Sequence, residues 1–159
     1  MCGDVDKVGE LFMLKIISGG QTGADVAGLR AAKKCGLTTG GIIARGFETE
    51  DGFFPNYENL YNMIDRNIDY RGRTKENVRM SDVTLIFADK PKSPGTRLTI
   101  SCCAALDKPY LLNPKKEEIV DWVRLNNPKV INVAGNRESV SPGITARVEK
   151  LLIDAFREI

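Results

Sequence analysis

The chain contains no histidine among its 159 residues. Without an imidazole, Ser-His-Asp and Cys-His catalysis, histidine-ligated zinc and a neutral imidazole base are all excluded. The cysteines, Cys2, Cys35, Cys102 and Cys103, form no Cys-x-x-Cys pair and no zinc-binding spacing. Any chemistry must therefore rest on carboxylates, hydroxyls, lysine, arginine or backbone dipoles, and we expect no bound metal ion.

Long apolar runs are also missing, since no stretch approaches the ~20 apolar residues of a membrane span. Residues Met1–Leu14 lack the basic and apolar regions of a signal peptide. Free, buried thiols suit a reducing compartment, so we expect a cytoplasmic protein. The net charge of +2 is too small to indicate a nucleic-acid or membrane partner.

The length is that of one domain with its own hydrophobic core. Apolar residues make up 42% of the chain and charged residues 28%, which is ordinary for a globular protein. We therefore expect a single domain over residues 1–159, with residues 1–13 as a poorly ordered N-terminal extension.

Short apolar runs alternate with amphipathic stretches along the chain. Continuous apolar runs are typical of strands that are buried on both faces of a parallel sheet. The predicted strands are Leu14–Ser18, Gly41–Ala44, Val83–Ala88, Tyr110–Leu112 and Val130–Val133. The alternation predicts a layered α/β fold, with helices flanking a mainly parallel sheet of about five or more strands.

Helix boundaries are marked by capping residues. Thr22-x-x-Asp25 is a capping-box variant at the first helix, and Thr96 is a candidate cap for a second. Asn113 precedes a proline, as an N-cap with proline in the first turn would. A last helix is expected beyond Gly143.

The segment Arg45–Met80 is the least regular part of the chain. Phe47–Tyr57 is aromatic, acidic and rich in turn residues. Short helices are predicted at Tyr57–Ile64 and Thr74–Met80. Such an excursion is either a lid over a ligand site or an ordinary packed insertion.

Glycine-bearing loops follow the first, third and fifth predicted strands. They read SGGQTG (Ser18–Gly23), SPGT (Ser93–Thr96) and AGNRESVSPG (Ala134–Gly143). Exposed backbone N–H groups and a helix N-terminus bind anions such as phosphate, and ligands of parallel sheets lie beyond the carboxyl ends of the strands. We therefore expect the three loops to converge on one phosphate-bearing small molecule.

The first loop matches the dinucleotide pattern GxGxxG only in part, because Ser18 replaces its first glycine. The acidic ribose-binding residue expected after the second strand is missing, and Arg45 stands roughly there, where it can face a 2′-phosphate. Gln21, Thr22 and Asp25 add more side-chain polarity than a turn needs, which favours ligand binding over a plain strand-to-helix turn.

Arginines near the loops are read as local anion contacts or as surface charge. They are Arg45, Arg71, Arg73, Arg97 and Arg137. Arg97 stands at a predicted helix N-terminus, where a cation is unfavourable unless an anion lies beside it. Arg137 and Glu138 form either a plain salt bridge or a pair that presents the arginine to a phosphate.

Several motifs resemble one known family in chain order. They are SGGQTGAD (Ser18–Asp25), ENVRMSDVTLIF (Glu76–Phe87), SPGT, KPYLL (Lys108–Leu112), NVAGNRES (Asn132–Ser139) and PGI (Pro142–Ile144). Together they resemble the putative molybdenum carrier family, also described as a circularly permuted YpsA-like branch of the SLOG superfamily. The resemblance runs from Leu14 to the end of the chain.

This resemblance implies a three-layer Rossmann-like fold of the lysine-decarboxylase-like type, commonly oligomeric, so a homodimer or homotetramer is expected. It also implies a site for a nucleotide or for a ligand like the molybdenum cofactor. From the loops and the resemblance together, the expected ligand-binding residues are Gly19, Gly20, Gln21, Thr22, Gly23, Asp25, Arg45, Ser93, Gly95, Thr96, Gly135, Asn136, Arg137, Glu138 and Ser139.

Three functions follow from these patterns. The leading hypothesis is a binding protein, a carrier or sensor for a phosphate-bearing ligand such as a pterin-type cofactor or a nucleotide. The alternative is a nucleoside-monophosphate phosphoribohydrolase, because the wider superfamily includes such enzymes with the motif PGGxGTxxE. Here Thr99 replaces the glutamate of that motif, so Glu138 or Asp25 would have to act as the acid or base. The third is an interaction module whose ligand site has decayed.

Overall fold

The computed structural model describes residues 14–159, and a parallel sheet lies at its centre. The strands are β1 (Lys15–Ser18), β2 (Thr38–Gly40), β3 (Ile42–Ile43), β4 (Glu48–Thr49), β5 (Gly52–Phe53), β6 (Ile64–Asp65), β7 (Val83–Phe87), β8 (Tyr110–Leu112) and β9 (Val130–Gly135). The helices are α1 (Ala24–Lys34), α2 (Tyr57–Tyr61), α3 (Tyr70–Met80), α4 (Pro94–Ala105), α5 (Lys116–Asn126) and α6 (Ile144–Glu158). None of these helices within residues 14–159 is long and apolar enough to cross a membrane.

The central sheet has five strands in the order β2-β1-β9-β7-β8, and every pairing in it is parallel. The register places Asn132 of β9 beside Ile17 of β1 on one side and Thr84 of β7 on the other. The prediction of an α/β fold with a mainly parallel sheet is confirmed. Because all five strands run the same way, the carboxyl ends of β1, β9 and β7 are neighbours at one edge.

The two faces of the sheet differ in polarity. One face packs on α1, α5 and α6 through apolar side chains such as Ile16, Leu85 and Val133. The other face lies under α3 and α4, where Asn132 and Thr99 border the same buried cavity. The fold therefore has three layers, and the interface between sheet and helices is apolar on one face of the sheet and more polar on the other.

The second strand of the sheet is not the apolar run that the sequence indicates. Thr38–Gly40 pairs with β1, and the chain then turns at Gly41, where φ is +123°. A Cβ at Gly41 would lie 2.1 Å from the carbonyl oxygen of Ser18, so the turn requires glycine. The predicted strand Gly41–Ala44 is thus wrong for the central sheet, since Ile42–Ile43 pairs with β6 in a separate two-stranded sheet.

Helix starts also differ from the capping predictions. Helix α1 begins after Gly23 with no side-chain cap, because Thr22 and Asp25 hydrogen-bond elsewhere. Helix α4 begins one turn earlier than a Thr96 cap predicts. The amide of Asn113 bonds both Ala88 N and Ala88 O, at 2.8 and 2.9 Å, instead of capping α5. The last helix follows Gly143 as predicted.

The irregular segment contains more regular structure than its sequence indicates. Residues Glu48–Phe53 form an antiparallel hairpin, β4–β5, inside the stretch predicted as a lid or an insertion. The predicted helix Tyr57–Ile64 is shorter, and the helix predicted at Thr74–Met80 begins earlier, at Tyr70. The expectation for residues 1–13 falls outside the described residues.

Candidate functional site

The first and last glycine loops are in direct contact. The backbone N–H of Ala24 donates to the carbonyl oxygen of Asn136 at 3.1 Å. A Cβ at Gly23 would lie 2.2 Å from that same oxygen and 2.7 Å from the Cα of Arg137. Gly23, with φ at +81°, is therefore required for the two loops to meet.

The side chain of Asn136, a residue of the last loop, binds the middle loop, while its backbone carbonyl makes the contact with the first loop. Its Oδ1 accepts from Lys90 N at 2.8 Å, while its Nδ2 donates to Ser93 Oγ at 2.9 Å and to Thr96 Oγ1 at 3.2 Å. The residue is only 2% exposed. The three loops thus form one surface beyond the carboxyl ends of β1, β9 and β7.

A polar cavity lies under this surface, between the loops and α3. Its volume is about 20 Å³, which is room for about a single water molecule. Its lining is mostly polar or charged and consists of Gly19, Gln21, Asp25, Tyr70, Arg73, Thr74, Asn77, Thr99, Asn132, Ala134, Gly135 and Arg137.

Arg73 is the central charged group of this cavity, although it is only 5% exposed. Its Nη1 lies 3.2 Å from Asp25 Oδ2, whereas its Nε has no hydrogen-bond partner among residues 14–159. A Cβ at Gly19 would lie 1.7 Å from Nη1, so glycine there lets the guanidinium lie against the backbone. The sequence shows Arg73 only as one of several arginines near the loops, because its approach depends on where α3 packs.

Asp25 is a buried carboxylate beside that guanidinium. Burial raises the pKa of Asp25 above its ordinary value of 3.8, while the nearby Arg73 charge and the backbone N–H of Gln21 oppose the rise. The Gln21 N–H donates to Asp25 Oδ2 at 3.3 Å. Asp25, a predicted site residue, therefore lies in the cavity, where its carboxylate faces two cations, Arg73 from α3 and Arg137 from the last loop.

Tyr70, which the sequence does not single out, covers the cavity at the start of α3. The centre of its ring lies 4.2 Å from Arg73 Cζ and 5.7 Å from Arg137 Cζ. Its hydroxyl would lie 2.7 Å from a Cβ at Gly95, so glycine in the SPGT loop leaves room for it. The ring is half-buried, and it closes the space above both guanidinium groups.

Glu50, at the tip of the β4–β5 hairpin, reaches into the loops. Its carboxylate accepts from Thr22 Oγ1, from Ser139 Oγ and from Ser139 N, the last at 3.1 Å. Burial alone would raise the pKa of Glu50, but hydrogen bonds from Ser139 and Thr22 outweigh it and lower the pKa below 4.5. The sequence misses this residue because neighbouring carboxylates in the same stretch have the same local pattern.

Glu138, one of the two candidate acids or bases, binds the start of the last helix. Its Oε1 accepts from the N and Oγ1 of Thr145 at 3.1 and 2.7 Å, and its Oε2 accepts from Gly143 N. The Gly143 N–H, followed by the Thr145 groups, lowers the pKa of Glu138. Because both oxygens bind the N-terminus of α6, this carboxylate serves as a helix cap.

Of the predicted ligand-binding residues, five line this cavity, namely Gly19, Gln21, Asp25, Gly135 and Arg137, and Arg45 and Gly20 are two of those that pack elsewhere. Arg45 is exposed, and its Nη2 donates to Asn67 O at 3.2 Å near the small β3–β6 sheet. A Cβ at Gly20 would lie 2.8 Å from Met63 Sδ and 2.9 Å from Ile43 Cδ1. Gly20 therefore packs against a secondary apolar cluster, while its neighbours Gly19 and Gln21 face the cavity.

A second, larger cavity lies on the other side of the first loop. Its volume of about 350 Å³ is in the range of small-molecule sites. The stacked rings of Phe54 and Tyr57, with centroids 5.1 Å apart, form part of its wall. The other lining residues are Gly20, Thr22, Val26, Arg30, Thr49, Asp51, Glu138 and Thr145. Within residues 14–159 no cluster of three or more Cys, Asp or Glu side chains could hold a metal ion.

Comparison with known proteins gives two matches. A family model described as the circularly permutated YpsA SLOG family matches residues 16–156. The crystal structure of a putative molybdenum carrier protein from Syntrophus aciditrophicus SB is 34% identical, with a TM-score of 0.76. The alignment covers 91% of this chain and 95% of that one. No curated protein matches the chain.

Proposed function

Because the chain belongs to the circularly permutated YpsA SLOG family, as its motifs predicted, we propose that it binds a small ligand bearing a phosphate or a comparable oxyanion. In this proposal it acts as a carrier or sensor. The similar crystal structure is called a putative molybdenum carrier, so molybdate or an organic molybdenum cofactor is the first cargo to consider, and a nucleotide is the second.

The observation that carries the proposal is a pair of unpartnered polar atoms in one buried cavity. Within the described part of the chain, Arg73 Nε is a donor without an acceptor, and Asn132 Oδ1 is an acceptor without a donor. Leaving such a group unsatisfied costs about 1–3 kcal/mol. An oxyanion oxygen on Arg73 and a ligand hydroxyl or N–H on Asn132 would remove both costs.

The charge of the cavity suits an anion. Arg73 and Arg137 contribute two guanidinium groups, and Asp25 offsets one of them. Guanidinium groups bind phosphates and similar oxyanions through parallel N–H bonds. A cavity of about 20 Å³ is too small for such a group, so binding requires the half-buried Tyr70 ring to swing outward.

Isothermal titration calorimetry with inorganic phosphate, molybdate and AMP tests this function. Arg137→Ala should weaken binding by about tenfold or more, because a charge-assisted hydrogen bond is lost. Arg97→Ala, an exposed arginine on α4, is the matched control and should leave the affinity unchanged. If none of the three anions binds the wild-type protein, the proposal is wrong.

Arg73 itself is best tested by a conservative change. Arg73→Ala would leave Asp25 buried without its partner, which costs about 3–5 kcal/mol of stability. Arg73→Lys keeps the positive charge but removes the paired N–H donors. We expect this variant to stay folded and to bind molybdate and phosphate more weakly, and unchanged affinity would remove Arg73 from the site.

The hydrolase alternative has one supporting observation, the position of Asp25. A carboxylate in a cleft whose pKa is raised by burial is a candidate acid or base. Release of free adenine from AMP would demonstrate the activity, and Asp25→Asn should abolish it. Activity that survives Asp25→Asn would exclude Asp25 as the acid.

We also propose that the protein is a cytoplasmic homo-oligomer. In support of association, the edge strand β8 leaves Tyr110 and Leu112 each about 40% exposed. Sedimentation equilibrium of the wild type and of Leu112→Lys would test this, since a charge at an apolar interface should shift the protein to the monomer.

A further inference from the structure

Resting on the function proposed above, we infer that the Glu50 carboxylate occupies a second anion seat, which a ligand phosphate fills when the hairpin releases it. Glu50 is then a built-in competitor for the ligand. The seat lies beside the Arg73 cavity and is made by the first and last glycine loops, so the ligand class is a phosphate attached to a larger group.

The donors around Glu50 are those of a phosphate site. They comprise two hydroxyls, Thr22 Oγ1 and Ser139 Oγ, and one backbone N–H, from Ser139. Arg137 Nε lies 4.0 Å from Glu50 Oε2 and adds a positive charge. Convergent hydroxyls, backbone N–H groups and a guanidinium bind carboxylates and phosphates alike, so a ligand phosphate can take the place of the Glu50 carboxylate.

Glu50 makes the hydrogen bonds between the β4–β5 hairpin and the loops. Within the described part of the chain, Glu50 is the only hairpin residue that hydrogen-bonds to the first and last loops. Besides its carboxylate contacts, its N–H donates to Gln21 Oε1 at 2.9 Å. Release of one side chain would therefore free most of the polar connection.

Glu50 also stands between the two cavities. Gln21 and Arg137 line the small polar cavity, while Thr22 lines the large one with the Phe54 and Tyr57 rings. Thr22 and Arg137 contact or approach the Glu50 carboxylate, and Gln21 accepts a hydrogen bond from the Glu50 backbone N–H. If the Glu50 side chain moves out, the anion seat becomes continuous with both cavities. A planar ring attached to a phosphate in the seat can then pack against Phe54 and Tyr57 in the large cavity. The favoured ligand is therefore of nucleotide size and shape.

Calorimetric titration of Glu50→Ala and Glu50→Gln with inorganic phosphate and with AMP tests this inference. Both variants should bind phosphate at least about tenfold more tightly than the wild type, because a competing negative charge is removed. Glu50→Gln keeps an acceptor for the Ser139 N–H and so serves if Glu50→Ala is unstable. Glu48→Gln, an exposed carboxylate on the same hairpin, is the control and should match the wild type.

Amide NMR spectra locate the bound anion. In the Glu50 variants, phosphate should shift the Ser139 N–H, and the same addition should leave that resonance unchanged in Glu48→Gln at equal concentration. If AMP or phosphate binds the wild type but binds the Glu50 variants equally or more weakly, Glu50 is a structural clasp and only this inference is overturned. If the wild type and all variants bind neither phosphate nor AMP, this inference is overturned, and the proposed function is overturned with it only if molybdate also fails to bind the wild type.

Discussion

Asn132 and Asn136 are both on or just beyond the central strand β9, and both are 2% exposed, yet their surroundings differ. The amide of Asn136 uses its oxygen and its nitrogen, with four contacts to Lys90, Ser93 and Thr96. Among the residues that the structure describes, the Asn132 side chain has one hydrogen bond, from its Nδ2 to Thr84 Oγ1 at 3.3 Å, and its Oδ1 has none. The two side chains are therefore equally buried, but within residues 14–159 only the amide of Asn136 has hydrogen-bond partners for both its oxygen and its nitrogen.

This contrast distinguishes a residue that holds the fold together, Asn136, from a residue of the candidate ligand site, Asn132. The protein satisfies Asn136 internally because that residue holds three loops in register. It leaves Asn132 and the neighbouring Arg73 Nε open on the polar face of the sheet, where the cavity lies. An unsatisfied buried atom is costly, which supports the proposal that a ligand supplies the missing partners here.

Within this comparison of the two asparagines, the largest expected effect is that of Asn136→Ala. Truncation leaves the partly buried N–H and carbonyl of Lys90 without their partner and releases two hydroxyls, so we expect the free energy of unfolding to fall by about 3 kcal/mol. Urea denaturation measures this. Asn59→Ala, at an exposed position in α2, should change stability by no more than about 0.5 kcal/mol. If Asn136→Ala lowers the free energy of unfolding by less than about 1 kcal/mol, the proposed difference between Asn136 and Asn132 is wrong.

Gly19→Ala should have the next largest effect. The added methyl would lie 1.7 Å from Arg73 Nη1, so the guanidinium must move away from Asp25, at a cost of about 2 kcal/mol. Molybdate or phosphate binding should be lost with it. A double-mutant cycle with Arg73→Lys provides the control, because simple addition of the two losses would show that the methyl does not act through Arg73.

Asn132→Ala should destabilise the protein far less than Asn136→Ala does. It removes one long hydrogen bond and one unsatisfied acceptor, so we expect a loss of about 1 kcal/mol or less. The affinity for AMP should fall more than the stability does. Equal losses of stability for the two asparagines would contradict the separation of scaffold from site.

The smallest effect is a change in the pH dependence of stability for Glu50→Gln. Because the folded-state pKa of Glu50 is lowered, the unfolded chain binds more protons below pH 4.5, and the wild type loses stability as the pH falls through the folded pKa. The variant lacks this titration, so its stability should fall less steeply in acid. Urea midpoints measured from about pH 3 to about pH 7 test this, and parallel curves throughout would show that Glu50 is not stabilised as an anion.

The sequence predicts the parts of this molecule that local chemistry determines. Apolar runs identify four of the five strands in the sheet, and glycine-rich turns identify the three loops that meet at its edge. The first strand, the loop after it and the last helix need only short patterns of neighbouring residues. These elements are correct because nothing distant has to be known to form them.

The rest depends on distant packing. Arg73 and Tyr70 come from α3, and Glu50 comes from a hairpin, and all three lie in the segment without a clear pattern. Their positions depend on the turn at Gly41, which directs the chain away from the sheet. A capping pattern such as Thr22-x-x-Asp25 fails for the same reason, since distant partners bind those side chains more effectively than the helix end does.

The strand that joins the halves of the sheet is the last one in the chain. Until Val130–Gly135 has been synthesised, β1 and β7 have no neighbour between them, and the polar loops cannot meet. The two pairings at the centre of the sheet, β1 with β9 and β7 with β9, therefore join segments that lie far apart in the chain. Such long-range pairings form slowly and leave apolar strands exposed for longer during folding, which makes aggregation the main hazard until β9 is in place.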